Sequence, residues 1–362
     1  MLSMHSSSSY DLSEYYEILC PHNDWPKFLD KYIELPLLQR LGGIGLLCGT
    51  DWTTLYKNRF FYSRLDHSIG VALIVWHFTH DKAQTIAGLL HDISTPVFSH
   101  VSDFRKGDTL TQTATEAPTA TMVRTDEQLN KLLKEDGLTA AQIEDYHIYP
   151  IADNEIPQLS ADRLEYMFPS GMALDGSWTM EEIRRCYNDL IILKNEDGQD
   201  ELGFQHVEIA ELYCEHFCMI GHILQLNENK LALHMLGQIM NRAEKEGILN
   251  EKDFMTLSEK DVMERLDSEV VSIRSSAHST TGQLARLYKT FRSMTSIEHT
   301  DMPLDENEYF CVNLKVKQRY INPLVRIETT TRRLSDVSEK AQRIIDDFKT
   351  YSDTAYGCVK LV

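Results

Sequence analysis

Apolar residues recur three and four positions apart along most of the chain, which is the spacing of amphipathic α-helices. This pattern predicts helices over residues 11–20, 35–44, 67–80, 82–93, 125–136, 179–193, 206–226 and 230–246. Ser258 and Asp261 have the spacing of a capping box and predict the start of another helix. A last amphipathic stretch predicts a helix over 338–350. The fold class is therefore expected to be mainly α.

Two stretches depart from helical spacing. Residues 105–126 collect Thr, Gly and Pro without apolar periodicity, and we interpret them as a loop that could act as a lid. Within 309–325, apolar and polar residues alternate from Phe310 to Lys317 as in a half-buried strand. We therefore predict a helical domain over 1–300, with residues 1–10 disordered. A small C-terminal α+β lobe over 301–362, made of a strand and the last helix, would pack on this domain.

The charge balance excludes some classes of partner. The 362 residues include 36 Lys plus Arg and 55 Asp plus Glu, a net charge of −19 that repels nucleic-acid phosphates. The longest uncharged run, residues 67–80, is shorter than the roughly 20 residues of a membrane span. The N-terminus lacks the order of a secretory signal. We expect a cytoplasmic protein with neither nucleic acid nor membrane as a partner.

The seven cysteines form no CxxC pair and have no regular spacing. Neither a zinc ribbon nor a disulfide framework is predicted from them. A reduced, intracellular environment is the interpretation that fits this pattern best.

Two His–Asp dipeptides are candidates for metal chemistry. His80–Asp81 precedes a predicted helix, where Asp81 would serve as a structural N-cap. His91–Asp92 instead follows the apolar run "AGLL", and burying a carboxylate beside an imidazole is costly unless each finds a partner or a cation. A buried hydrogen-bonded pair, or a helix end before Pro96, is the alternative interpretation of the second dipeptide.

Two other segments could complete a metal site with this pair. His67 lies at the start of a helix 24 residues before His91, and Asp162 lies at the start of another helix 71 residues after it. The set His67, His91, Asp92 and Asp162 offers two nitrogens and two carboxylates. Such a set suits one divalent ion of Mn, Fe, Ni, Co, Zn or Mg and leaves coordination positions open.

The order H…HD…D resembles the HD-domain phosphohydrolase superfamily, and especially its deoxynucleoside triphosphate triphosphohydrolase-like branch. That branch has motifs of the form "IxxPxFQRLxxIxQLG", "RFEHSLGVA", "LLHDxGHGPFSH", "DRxDY" and "KxRYxDPLV". The similar stretches here are "IELPLLQRLGGIGLLCG" (33–49), "RLDHSIGVA" (64–72), "LLHDISTPVFSH" (89–100), "DRLEY" (162–166) and "VKQRYINPLV" (316–325). The resemblance implies an HD-domain helical fold and a metal held by the four residues. It also implies hydrolysis of a nucleotide or other small phosphate ester through a metal-activated water, and possible homo-oligomers.

Further residues are candidates for work beside the metal. Arg64 is one turn before the first ligand and could contact phosphate, although a surface salt bridge is the alternative. His100 is the best candidate for proton transfer, and Glu116 is a weaker one. Tyr166 could contact a sugar or phosphate, or simply pack in the core. Arg163 points away from Asp162 on a helix and is expected to pair with a neighbouring acid.

The chain also departs from the motifs of the branch. Thr95 stands where the branch has a His, and Thr115 stands where it has the His of a His–Glu pair. Leu46 and Gly42 replace a Gln and an Arg that contribute to nucleotide recognition in the branch. These departures leave a second function open, a catalytically weakened nucleotide-sensing or interaction module. Intact ligands favour the enzyme, because a general acid or base contributes only about 10² to 10⁴ in rate.

Overall fold

The computed structural model describes residues 11–21, 24–110, 118–273 and 281–362, and this part of the chain is mainly helical. Its α-helices are α1 Ser13–Leu19, α2 Asp30–Ile33, α3 Pro36–Gln39, α4 Arg64–Thr79, α5 Lys82–Leu90, α6 Val101–Lys106, α7 Thr119–Thr125, α8 Glu127–Glu135, α9 Ala161–Leu174, α10 Met180–Asp189, α11 Val207–Gln225, α12 Asn227–Lys245, α13 Glu251–Thr256, α14 Glu259–Ile273, α15 Thr281–Ser293, α16 Leu334–Val337 and α17 Glu339–Thr350. None of the described helices combines the length and the apolar character that a bilayer span requires.

The strands form two small sheets. The strands are β1 Leu190–Lys194, β2 Asp200–Phe204, β3 Glu298–Thr300, β4 Tyr309–Val312, β5 Leu324–Ile327, β6 Thr330–Arg333 and β7 Tyr356–Lys360. One sheet has the order β1-β2-β5-β6, in which β2 and β5 are parallel and the other pairs are antiparallel. The other has the antiparallel order β3-β7-β4. The first sheet joins strands from both sides of residue 300, and the domain division there stays a prediction.

Helix α4 lies at the centre of the larger apolar core. It is buried from Arg64 to Val75, and α5 and α9 both pack against it. Its start is fixed by a capping box, in which the Ser63 hydroxyl accepts from the Asp66 backbone N–H and the Asp66 carboxylate accepts from the Ser63 backbone N–H. Asp81 caps α5 through the Gln84 backbone N–H, as the sequence predicted. The metal candidates His67 and His91 therefore lie at the ends of helices that are packed in this core.

A second apolar core forms around α6, α12, α14 and α15. The segment 91–100 leads into it from the larger core, because Leu90 packs in the first while Val97 and Phe98 pack in the second. The predicted capping box of α14 is present, with the Asp261 backbone N–H donating to the Ser258 hydroxyl. The His91–Asp92 pair is thus fixed at the junction of two packed units.

Two predicted helices are interrupted in the structure, one by a strand and one by a 3₁₀ turn. The helix predicted over 179–193 ends at Asp189, and the apolar run that follows it pairs with β2 as strand β1. Apolar runs of this length fit a buried strand as well as a helix, so periodicity alone could not separate them. The helix predicted over 35–44 divides into α3 and a 3₁₀ turn, Arg40–Gly43, because two glycines end it.

The C-terminal region also differs from the prediction. The strand predicted from Phe310 onward ends at Val312, and pairing resumes only in β5. Helix α17 packs against α11 of the helical part, with Phe348 beside Gly221, whose missing side chain makes room for the ring. The last helix therefore packs on the helical part, and it also contacts Gln318 and Tyr320 of the segment 309–325 that the sequence analysis assigned to it.

The expectation drawn from cysteine spacing is wrong at one place. Cys311 and Cys358 face each other across β4 and β7 and form a disulfide. The two residues are 47 positions apart, so no local spacing in the sequence could reveal the pair. The remaining cysteines, which are Cys20, Cys48, Cys186, Cys214 and Cys218, are free thiols.

Candidate metal centre

Three of the four predicted ligands bring one donor atom each to a single point. The Nε2 atom of His67 lies 3.1 Å from Oδ1 of Asp162, and the Nε2 atom of His91 lies 3.7 Å from the same oxygen. The two Nε2 atoms are 3.2 Å apart. These side chains come from α4, the end of α5 and the first turn of α9. Residues far apart in the chain thus form one compact set of donors that could hold a metal ion.

Asp92 borders the same point but is also bound to an arginine. Its Oδ2 atom lies 3.5 Å from Nε2 of His91 and 3.9 Å from Nε2 of His67. The same oxygen is 2.6 Å from an Nη atom of Arg64. Both partners of this ion pair are buried, so the alternative of a surface salt bridge for Arg64 is wrong. The pair holds the pKa of the Asp92 carboxyl far below its usual range, against the opposing effect of burial.

The opposite nitrogen of each imidazole is already hydrogen-bonded. Nδ1 of His67 lies 2.5 Å from Oε2 of Glu165, and Nδ1 of His91 lies 2.7 Å from the Gly88 carbonyl oxygen. Both acceptors require a proton on Nδ1. In the neutral rings Nε2 then carries a lone pair, as it does in metal-binding histidines whose other ring nitrogen donates to a carboxylate or a carbonyl oxygen.

These donors fit a divalent cation. Two imidazole lone pairs 3.2 Å apart, together with the Asp162 carboxylate, repel one another unless positive charge lies between them. Without a metal a proton fills that role, because Glu165 and Asp162 outweigh the opposing effect of burial and raise the pKa of His67 to about 10. The pKa of Asp162 is lowered despite its burial, through its hydrogen bond with His67 and the charge of His91. A metal could supply the same charge through a mixed nitrogen and oxygen set.

Glu165 contacts a candidate metal ligand, and the sequence analysis did not select it. Its Oε1 atom accepts hydrogen bonds from the hydroxyls of Tyr15 and Tyr62, while its other oxygen binds His67. A Cβ on Gly70 would lie 2.4 Å from Glu165 Oε1, so only glycine lets this carboxylate approach α4. The signal was available, since Glu165 follows Asp162 by three residues and therefore lies on the same face of α9.

A second group of contacts fixes the loop after His91. The Thr95 hydroxyl donates to Oδ1 of Asp92 at 2.9 Å. One Nη atom of Arg40 donates to the carbonyl oxygens of Ile93 and Thr95, at 2.9 and 2.8 Å. Thr95, where the resembling branch has a His, is thus a positioning residue for Asp92. It cannot exchange protons near neutral pH.

His100 and Tyr166, two further predicted site residues, have different surroundings. Nδ1 of His100 lies 2.9 Å from Oδ2 of Asp103, and burial outweighs this partner and lowers the pKa of His100. Its neighbour Ser99 accepts a hydrogen bond from Nε of Arg64, which places His100 on the Arg64 side of the cluster. The Tyr166 hydroxyl is buried and has no hydrogen-bond partner among the described residues. Burial raises its pKa to about 12.

Two predicted positions are not described. Glu116 and Thr115 lie outside the described residues, so the role of Glu116 in proton transfer stays a prediction. Arg163 is oriented as the sequence predicted, with an Nη atom 3.4 Å from Oδ1 of Asp153.

The sequence is similar to the sequences of two known proteins. No family model matches the chain. It is 23% identical to the uncharacterized protein YdhJ of Bacillus subtilis over 323 residues, which cover 87% of this chain and 89% of that protein. It is 28% identical to the metal-dependent phosphohydrolase cns2 of Cordyceps militaris over 128 residues, 35% of this chain and 36% of that protein.

Solved structures share the fold. A phosphohydrolase from Bacteroides thetaiotaomicron matches with a TM-score of 0.55 and 14% identity, covering 92% of this chain and 95% of that one. A hypothetical protein from Aquifex aeolicus matches with a TM-score of 0.60 and 13% identity, covering 92% of both chains. The mainly helical architecture is therefore one that occurs in a phosphohydrolase.

Proposed function

We propose that this protein is a metal-dependent phosphohydrolase of the HD-domain superfamily that acts on a nucleotide or another small phosphate ester. The observation that carries the proposal is the convergence of His67, His91 and Asp162 on one point, with both Nδ1 atoms already engaged. The name of the partial relative, a metal-dependent phosphohydrolase, and that of the fold neighbour, a phosphohydrolase, support it.

The candidate residues would have separate roles in metal binding, phosphate contact and proton transfer. His67, His91, Asp92 and Asp162 would hold one divalent cation. When bound, such a cation neutralises phosphate charge and activates water for attack. Arg64 orients Asp92 and keeps a positive charge beside the cluster, where it would also attract a phosphate oxygen. His100, whose lowered pKa keeps it neutral near pH 7, would accept a proton on the Arg64 side.

A nucleotide is the substrate class that the motif resemblance favours. We also propose that the protein belongs to the deoxynucleoside triphosphate triphosphohydrolase-like branch, forms homo-oligomers and is located in the cytoplasm. Leu46 and Gly42 differ from the branch at positions used for nucleotide recognition, so the base and the number of phosphates must come from experiment. A panel of nucleoside mono-, di- and triphosphates covers these choices.

The test is phosphate release from this panel with Mn, Mg, Fe, Co or Ni, with Asp92→Ala as the inactive comparison. We expect metal-dependent release by the wild type and a loss to background in the variant, because the variant removes a ligand and leaves Arg64 unpaired. A far-ultraviolet circular dichroism spectrum checks that the variant is folded. A wild type that releases no phosphate with any of these metals would overturn the proposal.

One observation favours a second function, a nucleotide-sensing module. Thr95 and Thr115 remove two imidazoles that the branch uses, and the Thr95 hydroxyl is committed to Asp92. A sensor would bind metal and nucleotide without turnover. In the same panel it would give a nucleotide-dependent rise in melting temperature and no phosphate release.

A further inference from the structure

A cleft opens beside His91, and a second histidine lies on its wall. The cleft has a volume of about 290 Å³, and its lining includes His91, Asp145, Tyr146 and His147. The Tyr146 ring lies between the two imidazoles, with its centroid 5.0 Å from that of His91 and 4.4 Å from that of His147. A substrate bound at the metal candidates through His91 could therefore extend toward His147.

His147 lies beside two carboxylates and is hydrogen-bonded to one of them. Its Nδ1 atom lies 2.9 Å from Oδ1 of Asp145, which also accepts the His147 backbone N–H. Its Nε2 atom lies 3.6 Å from Oδ2 of Asp153, longer than a hydrogen bond. The side chain is 52% exposed and lines the cleft.

The second carboxylate connects this histidine to the metal candidates. Asp153 is buried, accepts a hydrogen bond from Ser160 and is paired with Arg163. The carbonyl oxygen of the preceding residue, Ala152, accepts the backbone N–H of Asp162. The Asp145–His147–Asp153 group is thus fixed to the same segment that places a predicted ligand.

We propose that His147 is the proton donor to the leaving group, an inference that rests on the proposed function. As water adds to phosphorus, a new P–O bond forms and the water proton passes to His100, which later releases it to solvent. The P–O bond to the leaving group breaks, and Nε2–H of the protonated His147 imidazolium gives its proton to the departing oxygen, which leaves a neutral imidazole with its remaining proton on Nδ1 toward Asp145. The imidazole then recovers a proton from solvent, so atoms and charge balance without a further reactant. His147 would supply the proton transfer for which Thr95 is unsuited.

The experiment compares His147→Gln with wild type on phenyl phosphate and p-nitrophenyl phosphate, both with saturating Mn²⁺. Phenolate needs a proton as it leaves, whereas nitrophenolate departs as a stable anion. We expect kcat for phenyl phosphate to fall about 100-fold and kcat for p-nitrophenyl phosphate to fall less than about 10-fold. KM, Mn²⁺ content and melting temperature should stay at wild-type values. His206→Gln is the matched control, because His206 is also an exposed histidine held by a carboxylate, that of Asp189.

Each outcome has a defined meaning. A selective loss on phenyl phosphate supports the inference. Unchanged kcat, or an equal loss on both esters, overturns it while the proposed function stands. A wild type inactive on both esters and on the nucleotide panel ends the proposed function and this inference with it. Wild-type Mn²⁺ content in His147→Gln separates a loss of proton transfer from a loss of metal.

Discussion

The Nε2 atoms of His67 and His91 lie 3.2 Å apart, and both rings direct their other nitrogen to a fixed acceptor. For His67 that acceptor is the Glu165 carboxylate, which raises the basicity of the ring. We therefore predict that Glu165→Gln weakens Mn²⁺ binding about 10- to 100-fold, measured by competition with a fluorescent chelator.

The matched control for Glu165→Gln is Tyr15→Phe, which removes one hydrogen bond to the carboxylate and keeps its charge. Its Mn²⁺ affinity should lie much closer to that of wild type. Equal affinities of Glu165→Gln and wild type would contradict the role assigned to this carboxylate.

Arg64 supplies the countercharge for a buried carboxylate. Its replacement by Met removes the ion pair of Asp92 in the metal-free protein and leaves the Thr95 hydroxyl as a hydrogen-bond donor, and breaking a buried ion pair costs about 3 to 5 kcal/mol. We expect that loss in the free energy of urea unfolding, and added Mn²⁺ should restore part of it because the cation replaces the missing charge. Lys340→Met breaks an exposed pair with Glu215 and should cost less than about 1 kcal/mol. Equal losses in the two variants would refute this assignment.

Glu259 predicts a dependence of stability on pH. Its carboxyl is fully buried at the start of α14, where it accepts hydrogen bonds from the Gly45 backbone N–H and the Trp52 indole N–H. Burial, reinforced by the charge of Asp51, raises its pKa to about 8. The folded state therefore holds this proton more tightly than the unfolded state, in which the carboxyl ionises near pH 4.5.

The resulting stability is fully present below the unfolded-state pKa and is lost as pH rises through about 8. We predict that the free energy of unfolding falls between pH 6 and pH 9, and that Glu259→Gln flattens this slope because the amide does not ionise. Urea unfolding at several pH values measures it. A constant offset between the two proteins is expected from the changed contact with Trp52, so an unchanged slope is the result that counts against the prediction.

Sequence reasoning worked best where the chemistry is local. The capping residues Ser258 and Asp81, and the long helices with strong periodicity, could be predicted because neighbours in the chain determine them. The same reasoning selected His67, His91 and Asp162, which the fold brings together, because their residue types and motif order carry the signal.

Long-range partners could not be found in this way. The spacing of Glu165 from Asp162 was a local signal, but its contacts with two tyrosines and with Gly70 are long-range, and the disulfide joins residues 47 positions apart. Strand β1 is likewise determined by its pairing with β2 and not by its own apolar run. The ion pair of Asp92 with Arg64 also could not be predicted, because the motif indicates only a metal ligand at Asp92.

The proposed metal centre consists of one divalent cation bound by His67 in α4, His91 at the end of α5 and Asp162 in α9. Its most direct test is the metal content of purified protein, measured by mass spectrometry after loading with Mn²⁺ and desalting, for wild type, Asp162→Ala and the control His206→Gln. We expect about one ion per chain in the wild type and the control, and less than about 0.1 in Asp162→Ala. A wild type that retains no ion, or an Asp162→Ala variant that retains as much as the wild type, would contradict it.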